Sequence, residues 1–366
     1  MRLLDPYFYR SAHLIIISVF TLYYLVLING KTASSLLRRK HPNTLVFIYS
    51  LLFIIIVGLR PNSAAFGDTV TVVHTYDQFS HLLEPIDFAR DALFYYFMWG
   101  CSRIVNVNIF FLILEFIYIV PMIIACSRFY KNNSDIGLLF CFSAFSFFTY
   151  GVNGMRNGAA CSLVLLAISL IRGKTIEKVF SFLFSAVAIG FHTSTALPVI
   201  CMLAAYLIKN KNIMFIVWIS SIILSLAIGD IISTFFSNLG FDDRLTSYIQ
   251  MGLEGGVYTR TGFRWDFLLY SAVPIIIGYI VVIKKRVFDP NYLLILGTYI
   301  YANSFWIMVI RAEYSNRFAY LSWFLYPIVL SYPFFKMRIW PKTQGGKAAL
   351  VMFGHLLFTL IMVFLF

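Results

Sequence analysis

Apolar residues in this chain are gathered into long runs separated by short polar connections. Twelve runs stand out, near 11–30, 43–59, 107–127, 136–151, 157–171, 178–191, 194–208, 212–229, 266–283, 291–310, 318–335 and 348–366. A helix needs about 20 mostly apolar residues to cross a hydrocarbon core, and several of these runs are shorter. The pattern predicts an all-α polytopic membrane bundle of about 12 helices (range 11–14), forming a single integral-membrane domain over residues 1–366. Two polar stretches are long, 60–106 and 230–265. The first ends in Asp91-Ala92-Leu93-Phe94-Tyr95-Tyr96-Phe97-Met98-Trp99, too short to span and rich in aromatics, which predicts an interfacial or re-entrant helix. The second carries Asp242-Asp243-Arg244 and the glycine-rich Gly252-Leu253-Glu254-Gly255-Gly256, a composition suited to a mobile lid. Pro121, Pro198, Pro274 and Pro327 lie in or near spans, where kinks are expected. The opening run reads as a span, not as a cleaved signal peptide.

Composition agrees with the pattern. The chain is 60% hydrophobic and 12% charged, with a mean hydropathy of +0.81. Soluble domains run about 45–50% apolar and about 25% charged. The net charge of +13 is read as cytoplasmic loops facing anionic lipid, so no nucleic-acid partner is expected. Five cysteines show no paired or metal-binding spacing, and four lie in apolar runs as small hydrophobes.

Charge also orients the bundle. Alternating the twelve runs places all 12 lysines on one side, which the excess of basic residues in short loops makes the cytoplasm. Both termini then lie outside. The outer side keeps 11 basic residues, all arginine: Arg2, Arg10, Arg60, Arg90, Arg103, Arg156, Arg244, Arg260, Arg264, Arg311 and Arg317. Positive charge alone would not select arginine. A planar fork that grips carboxylates or phosphates through two oxygens would.

Four outer clusters could carry chemistry. Gly58-Leu59-Arg60 is followed by Gly67-Asp68-Thr69; a snorkelling arginine and a turn aspartate would explain it equally. Asn153-Gly154-Met155-Arg156-Asn157-Gly158 is a tight turn whose glycines permit close approach of a backbone or ligand. Phe191-His192-Thr193-Ser194 connects two spans, and its imidazole suits a general base or a merely satisfied polar group. Arg311-Ala312-Glu313-Tyr314-Ser315-Asn316-Arg317 offers two arginines around one carboxylate; as an exposed ion pair it would add only about 0–1 kcal/mol. Glu115, roughly 12 Å into its span at 1.5 Å per residue, needs a partner or a cavity. Glu115 and His355 both read as structural. The sequence shows no P-loop, zinc-protease motif, nucleophile elbow or D-x-D metal pair.

With these residues in view, the chain resembles the EpsG/Wzy family of bacterial polysaccharide polymerases. The likeness rests on layout along nearly the whole length: "GLR" then "GD" after the second span, "NGMRNG" before a span, "FHTS" near mid-chain and "NRF" before a late span. Where the family often has a tyrosine just after the aspartate, this chain has Val72 and Val73, and Tyr76 is the first. The resemblance implies a GT-C-like, inverting glycosyltransferase of the bacterial inner membrane, with its active site facing the periplasm. Its substrates would be undecaprenyl-diphosphate-linked oligosaccharides, as donor and as acceptor. Membrane lipid is the medium, and a chain-length regulator and a flippase are candidate partners.

It also implies roles for Arg60, Asp68, Arg156, His192 and Arg317 at the matching motif positions. The expected catalytic set is His192 as base, with Asp68 and Glu313 behind it. Arg60, Arg156, Arg311, Arg317, Arg264 and Asn153 are expected on the diphosphate and sugars. Neither metal nor cofactor is expected. The competing expectations are an O-antigen ligase, a metal-dependent transferase using a lipid monophosphate, and a lipid-linked oligosaccharide flippase.

Overall fold

The computed structural model describes residues 6–82, 90–208, 210–238, 262–312 and 315–365, and they contain helices and connections with no strand. In order these are α1 Pro6–Ile28, α2 Ala33–Leu37, α3 Thr44–Gly58, α4 Thr69–His81, α5 Ala92–Ser102 and α6 Val107–Tyr130. Then come α7 Ser134–Phe142, α8 Phe147–Val152, α9 Met155–Leu170, α10 Thr175–Phe191, α11 Ala196–Leu207 and α12 Lys211–Asn238. The last are α13 Trp265–Tyr279, α14 Pro290–Met308, α15 Asn316–Trp323, α16 Tyr326–Lys336 and α17 Gln344–Leu365. Asn43, Asn106 and Asp289 start helices by accepting from Leu45, Ile109 and Asn291 N–H groups, and Pro290 follows Asp289 at the first helical turn.

Every expected apolar run coincides with helix, but two divide into separate α-helices. The run 136–151 divides into α7 and α8. Ser143 bends its hydroxyl back onto the Leu139 carbonyl at 2.7 Å, competing with the backbone at the break. The run 318–335 divides into α15 and α16 around Phe324-Leu325. Expected kinks at Pro121 and Pro274 do not end their helices, since α6 and α13 run through them.

Six helical stretches among the described residues are long and apolar enough to cross a membrane. They are Tyr7–Ile28, Val107–Phe142, Lys211–Gly229, Trp265–Lys284, Asn316–Lys336 and Gln344–Phe364. Thr44–Gly58, Met155–Leu170 and Thr193–Leu207 are shorter apolar helices. This is a multi-pass helical membrane protein.

The stretch 60–106 holds more structure than expected. Besides α5, where a helix was expected, it forms α4. That helix is too polar to register as a span. Its stripe Thr69, Tyr76 and Phe79 is buried, at helical spacing, while His74, Asp77 and Gln78 are exposed. Helix α12 takes the first part of 230–265, and residues 239–261, including Asp242, Asp243, Arg244 and the glycine-rich piece, lie outside the described residues.

The chain divides into two compact units. Unit 1 comprises Met1–Thr195 with Ser331–Phe366, and unit 2 is Ala196–Leu330. In unit 1, α6 packs against α3, α7 and α9, α9 packs against α10, and α1 packs against α17. Helix α5 lies on α4, α6 and α10. Asp135 is fully buried, but receives Arg39 through both terminal nitrogens at 2.9 and 2.7 Å, with the Asn43 N–H and the Tyr24 hydroxyl. In unit 2, α14 packs against α11, α12 and α15. Buried polar groups pair there too. Trp323 Nε1 donates to Ser271 Oγ at 2.7 Å, and Trp218 Nε1 to Asn303 Oδ1 at 2.9 Å.

Candidate functional site

The turn joining α8 to α9 gathers pieces that are far apart in sequence. It needs little space of its own. A Cβ on Gly158 would stand 2.6 Å from the Tyr150 carbonyl oxygen, so the glycine admits the chain's own backbone, not a ligand. Asn153 Oδ1 accepts the Asp68 N–H at 2.9 Å. That contact needs Gly67: its φ is +63°, and a Cβ there would sit 2.2 Å from Asn153 Oδ1. The "GD" and "NGMRNG" motifs therefore meet. The Asp68 carboxylate makes no cap bond and is exposed.

Arg60 reaches the same turn from beneath. It is 1% exposed. Nη1 donates to the Val57 carbonyl at 2.8 Å and to Glu115 Oε1 at 3.4 Å. Nη2 faces Thr69 Oγ1, the Val152 carbonyl and Met155 Sδ, while the rings of Phe111 and Phe66 lie 4.8 and 5.7 Å away. Among the described residues, Arg60 Nε and Glu115 Oε2 have no hydrogen-bond partner. The arrangement ties α3, α4, α6 and the turn before α9 together, and it satisfies the expected need of Glu115 for a partner. His355, the other residue read as structural, bonds the Phe140 carbonyl through Nε2 at 3.0 Å.

A stability consequence follows. Glu115→Ala is expected to cost about 1.5–3 kcal/mol, the usual worth of a buried hydrogen bond to a charged group. It should lower the melting temperature in detergent and leave turnover per folded molecule intact. Lost turnover at an unchanged melting temperature would place the pair in the chemistry instead.

Arg156, on the first turn of α9, points to a different partner. Its Nη1 donates to Asp91 Oδ2 at 3.0 Å and to the Tyr95 hydroxyl at 2.9 Å. Its guanidinium carbon lies 5.5 and 5.4 Å from the Phe94 and Tyr95 ring centres. Among the described residues nothing accepts from its Nη2 or Nε, and its side chain is 25% exposed. His192 ends α10 with extended backbone, φ −151° and ψ 105°. Its carbonyl takes both the Thr195 N–H at 2.9 Å and the Thr195 hydroxyl at 2.8 Å. Its Nδ1 stands 3.5 Å from the same Asp91 oxygen, and no described residue bonds Nε2.

Asp91 was expected only as the start of the interfacial helix; its place beside Arg156 and His192 was not foreseen. A weak signal existed: it is an acid opening an otherwise apolar, aromatic helix. Burial opposes its charge. The His192 hydrogen bond and charge, the Thr193 N–H and Arg156 outweigh that, holding its carboxyl well below the usual carboxylate range.

The other expected residues divide. Arg264 makes a two-pronged ion pair with Asp266, Nε at 2.9 Å and Nη2 at 2.6 Å. Arg311 Nη1 donates to the Ser225 carbonyl at 2.5 Å, where α12 leaves helical geometry at Ile228. Gly229 leaves room for this contact, since a Cβ there would lie 1.6 Å from Arg311 Nη1 and the guanidinium would have to move aside. Arg317 is exposed on the first turn of α15. These three belong to unit 2, and Glu313 lies outside the described residues. No three His, Cys, Asp or Glu side chains gather at metal-binding distance among the described residues.

Fold and site together define a multi-pass helical membrane protein in which an arginine and a histidine from two helix ends share one carboxylate. The chain matches the EpsG family over residues 43–366 and belongs to it, the family of Wzy-type polysaccharide polymerases. No curated protein and no solved structure matches the chain.

Proposed function

We propose that this protein is a surface-polysaccharide (O-antigen) polymerase of the inner membrane. On this reading it has about 12 spans in a GT-C-like arrangement and works on the periplasmic face. It transfers a glycan from undecaprenyl diphosphate to a sugar hydroxyl of another undecaprenyl-diphosphate-linked repeat unit. The observation that carries the proposal is the state of Arg156 and His192. Arg156 is anchored through Nη1, and among the described residues nothing takes its Nη2 or Nε, which suits a two-oxygen grip on a diphosphate. His192 contacts the same carboxylate through Nδ1, and no described residue takes its Nε2.

The step balances without a further reactant. The acceptor O–H passes its proton to His192 Nε2 as its oxygen bonds to the donor's anomeric carbon. The bond from that carbon to the phosphate oxygen breaks, and its electron pair leaves with undecaprenyl diphosphate. Entry opposite the leaving group inverts the anomeric centre. The departing diphosphate needs charge stabilisation more than a proton, and a fixed guanidinium supplies it without reorganising. Arg317 and Arg264 are assigned further contacts with diphosphate or sugar, and Asp68 with Asn153 is assigned the acceptor side. Arg60 and Arg311 are assigned to holding the fold, because Arg60 is buried among the chain's own groups and Arg311 donates to the Ser225 carbonyl.

The test is incubation of the purified full chain with its lipid-linked repeat unit, followed by gel separation. A ladder of products is expected, and EDTA should leave it unchanged, since fixed arginines provide the charge. Loss in EDTA with recovery in magnesium would favour a metal-dependent transferase. Product formed only when a lipid A-core acceptor is added would make the protein a ligase.

A further inference from the structure

We propose that Asp91 is a positioning residue for the base. Its carboxylate holds the His192 ring with hydrogen on Nδ1, so that Nε2 presents a lone pair to the acceptor hydroxyl. This rests on the polymerase reading above for its purpose, though not for its test.

Local structure alone gives Asp91 no reason to be placed as it is. It stands at the N-cap of α5, where an aspartate normally accepts from the first helical N–H groups and stabilises the helix. Here its side chain makes no cap bond. Its backbone is left-handed, φ 51° and ψ 29°, a conformation uncommon outside glycine that aspartate and asparagine adopt more readily than other residues. Asp91 gives up a cap and takes an uncommon backbone, and the contacts of its carboxylate are what it gains.

Those contacts are specific to each oxygen. Oδ1 accepts the Thr193 N–H at 2.8 Å and the Thr193 hydroxyl at 3.0 Å. Oδ2 accepts from Arg156 Nη1 at 3.0 Å and faces His192 Nδ1 at 3.5 Å. The Asp91 N–H returns to Thr193 Oγ1 at 3.3 Å. An ionised carboxylate can only accept, so the ring nitrogen that faces it must be the donor, which in neutral imidazole leaves the other nitrogen as acceptor. The 3.5 Å separation is long, as such contacts commonly are before substrate tightens them. Side-chain exposure falls from 25% at Arg156 to 13% at His192 and 9% at Asp91. The carboxylate thus lies behind the two groups that would meet substrate, and its charge is screened from an incoming diphosphate by Arg156 and the Thr193 donors.

A purely structural stitch between α5 and the α10–α11 connection would use the same contacts, so the experiment must separate the two. The full chain is produced with ¹⁵N-labelled histidine rings, and the His192 signals are identified by their disappearance in His192→Gln. Wild type should show Nδ1 protonated in the neutral ring. Asp91→Asn places an amide where the carboxylate was, and His192 should move to the Nε2–H tautomer or to a mixture. Turnover of the lipid-linked substrate should fall by about 10²- to 10⁴-fold, up to the size seen when the carboxylate that fixes a base histidine's tautomer becomes an amide, with KM changed far less. Thr193→Val removes one anchor of Oδ1 while keeping the charge. It should give a partial tautomer shift and a smaller loss, and it serves if Asp91→Asn does not fold. Nε2–H in wild type would overturn the proposal. So would an unchanged tautomer in both variants with activity reduced only in step with folded protein. The ring signals need no turnover, so they judge Asp91 even if no ladder forms and the polymerase reading fails.

Discussion

Arg156→Lys should lower the rate of polymer formation about 10²–10³-fold, the range found when one preorganised donor to a developing anion is removed. Charge is retained in that variant, so the loss measures geometry. In the wild type one nitrogen of the guanidinium is spent on Asp91 and the Tyr95 hydroxyl, and the plane is supported by the Phe94 and Tyr95 rings. Two further N–H directions stay available for phosphate oxygens. A lysine ammonium is a point charge on a flexible stem. Drawn to Asp91, it would leave little directed donation for the diphosphate, and its stem would not lie flat on the rings. Arg317→Lys is expected to fall in the same direction, and Arg10→Lys to be nearly silent. The measurement is initial ladder formation at matched amounts of folded protein. A wild-type rate from Arg156→Lys would remove the diphosphate-clamp argument.

His192→Gln should cost about 10²–10⁴-fold, the usual contribution of a positioned proton acceptor. Glutamine can still reach Asp91 with an amide N–H but cannot take the acceptor's proton. Donor binding should therefore survive while transfer fails, a split that single-turnover assays and a separate binding measurement resolve. Should His192→Gln remain active while Asp68→Asn or Glu313→Gln abolishes transfer, the base is the carboxylate. Persistence of polymer in all three would favour substrate-assisted transfer, with arginine clamping alone.

Several residues of the candidate site stand out in the sequence itself. The motifs around Asn153, Arg156 and His192 mark these residues as candidates; the structure sets Asn153 on the Asp68 backbone and Arg156 and His192 on one carboxylate. Arg60 shows the limit. Its position at a helix end, near a polar loop, reads equally as a phosphate ligand or a snorkelling cation. Only packing reveals that α6 brings Glu115 beneath it and that the guanidinium is shut away. Arg311 is similar, since nothing near it in sequence marks the break in α12 whose carbonyl it takes.

The chain's own pattern determined that it is helical, that it is built for a membrane, and where nearly every helix lies. Hydropathy is a sum over neighbours, and helical hydrogen bonds close within four residues, so local sequence suffices. Helix α4 escaped because its apolar stripe is narrow and its polar face hides it from a hydropathy window. The partnership of Asp91 with Arg156 and His192 joins residues 65 and 101 positions apart. No local sum contains that information. It exists only once α5 lies across the end of α10 and α9 starts beside them, because a carboxylate chooses its donors by distance and direction, and the packing of helices sets both.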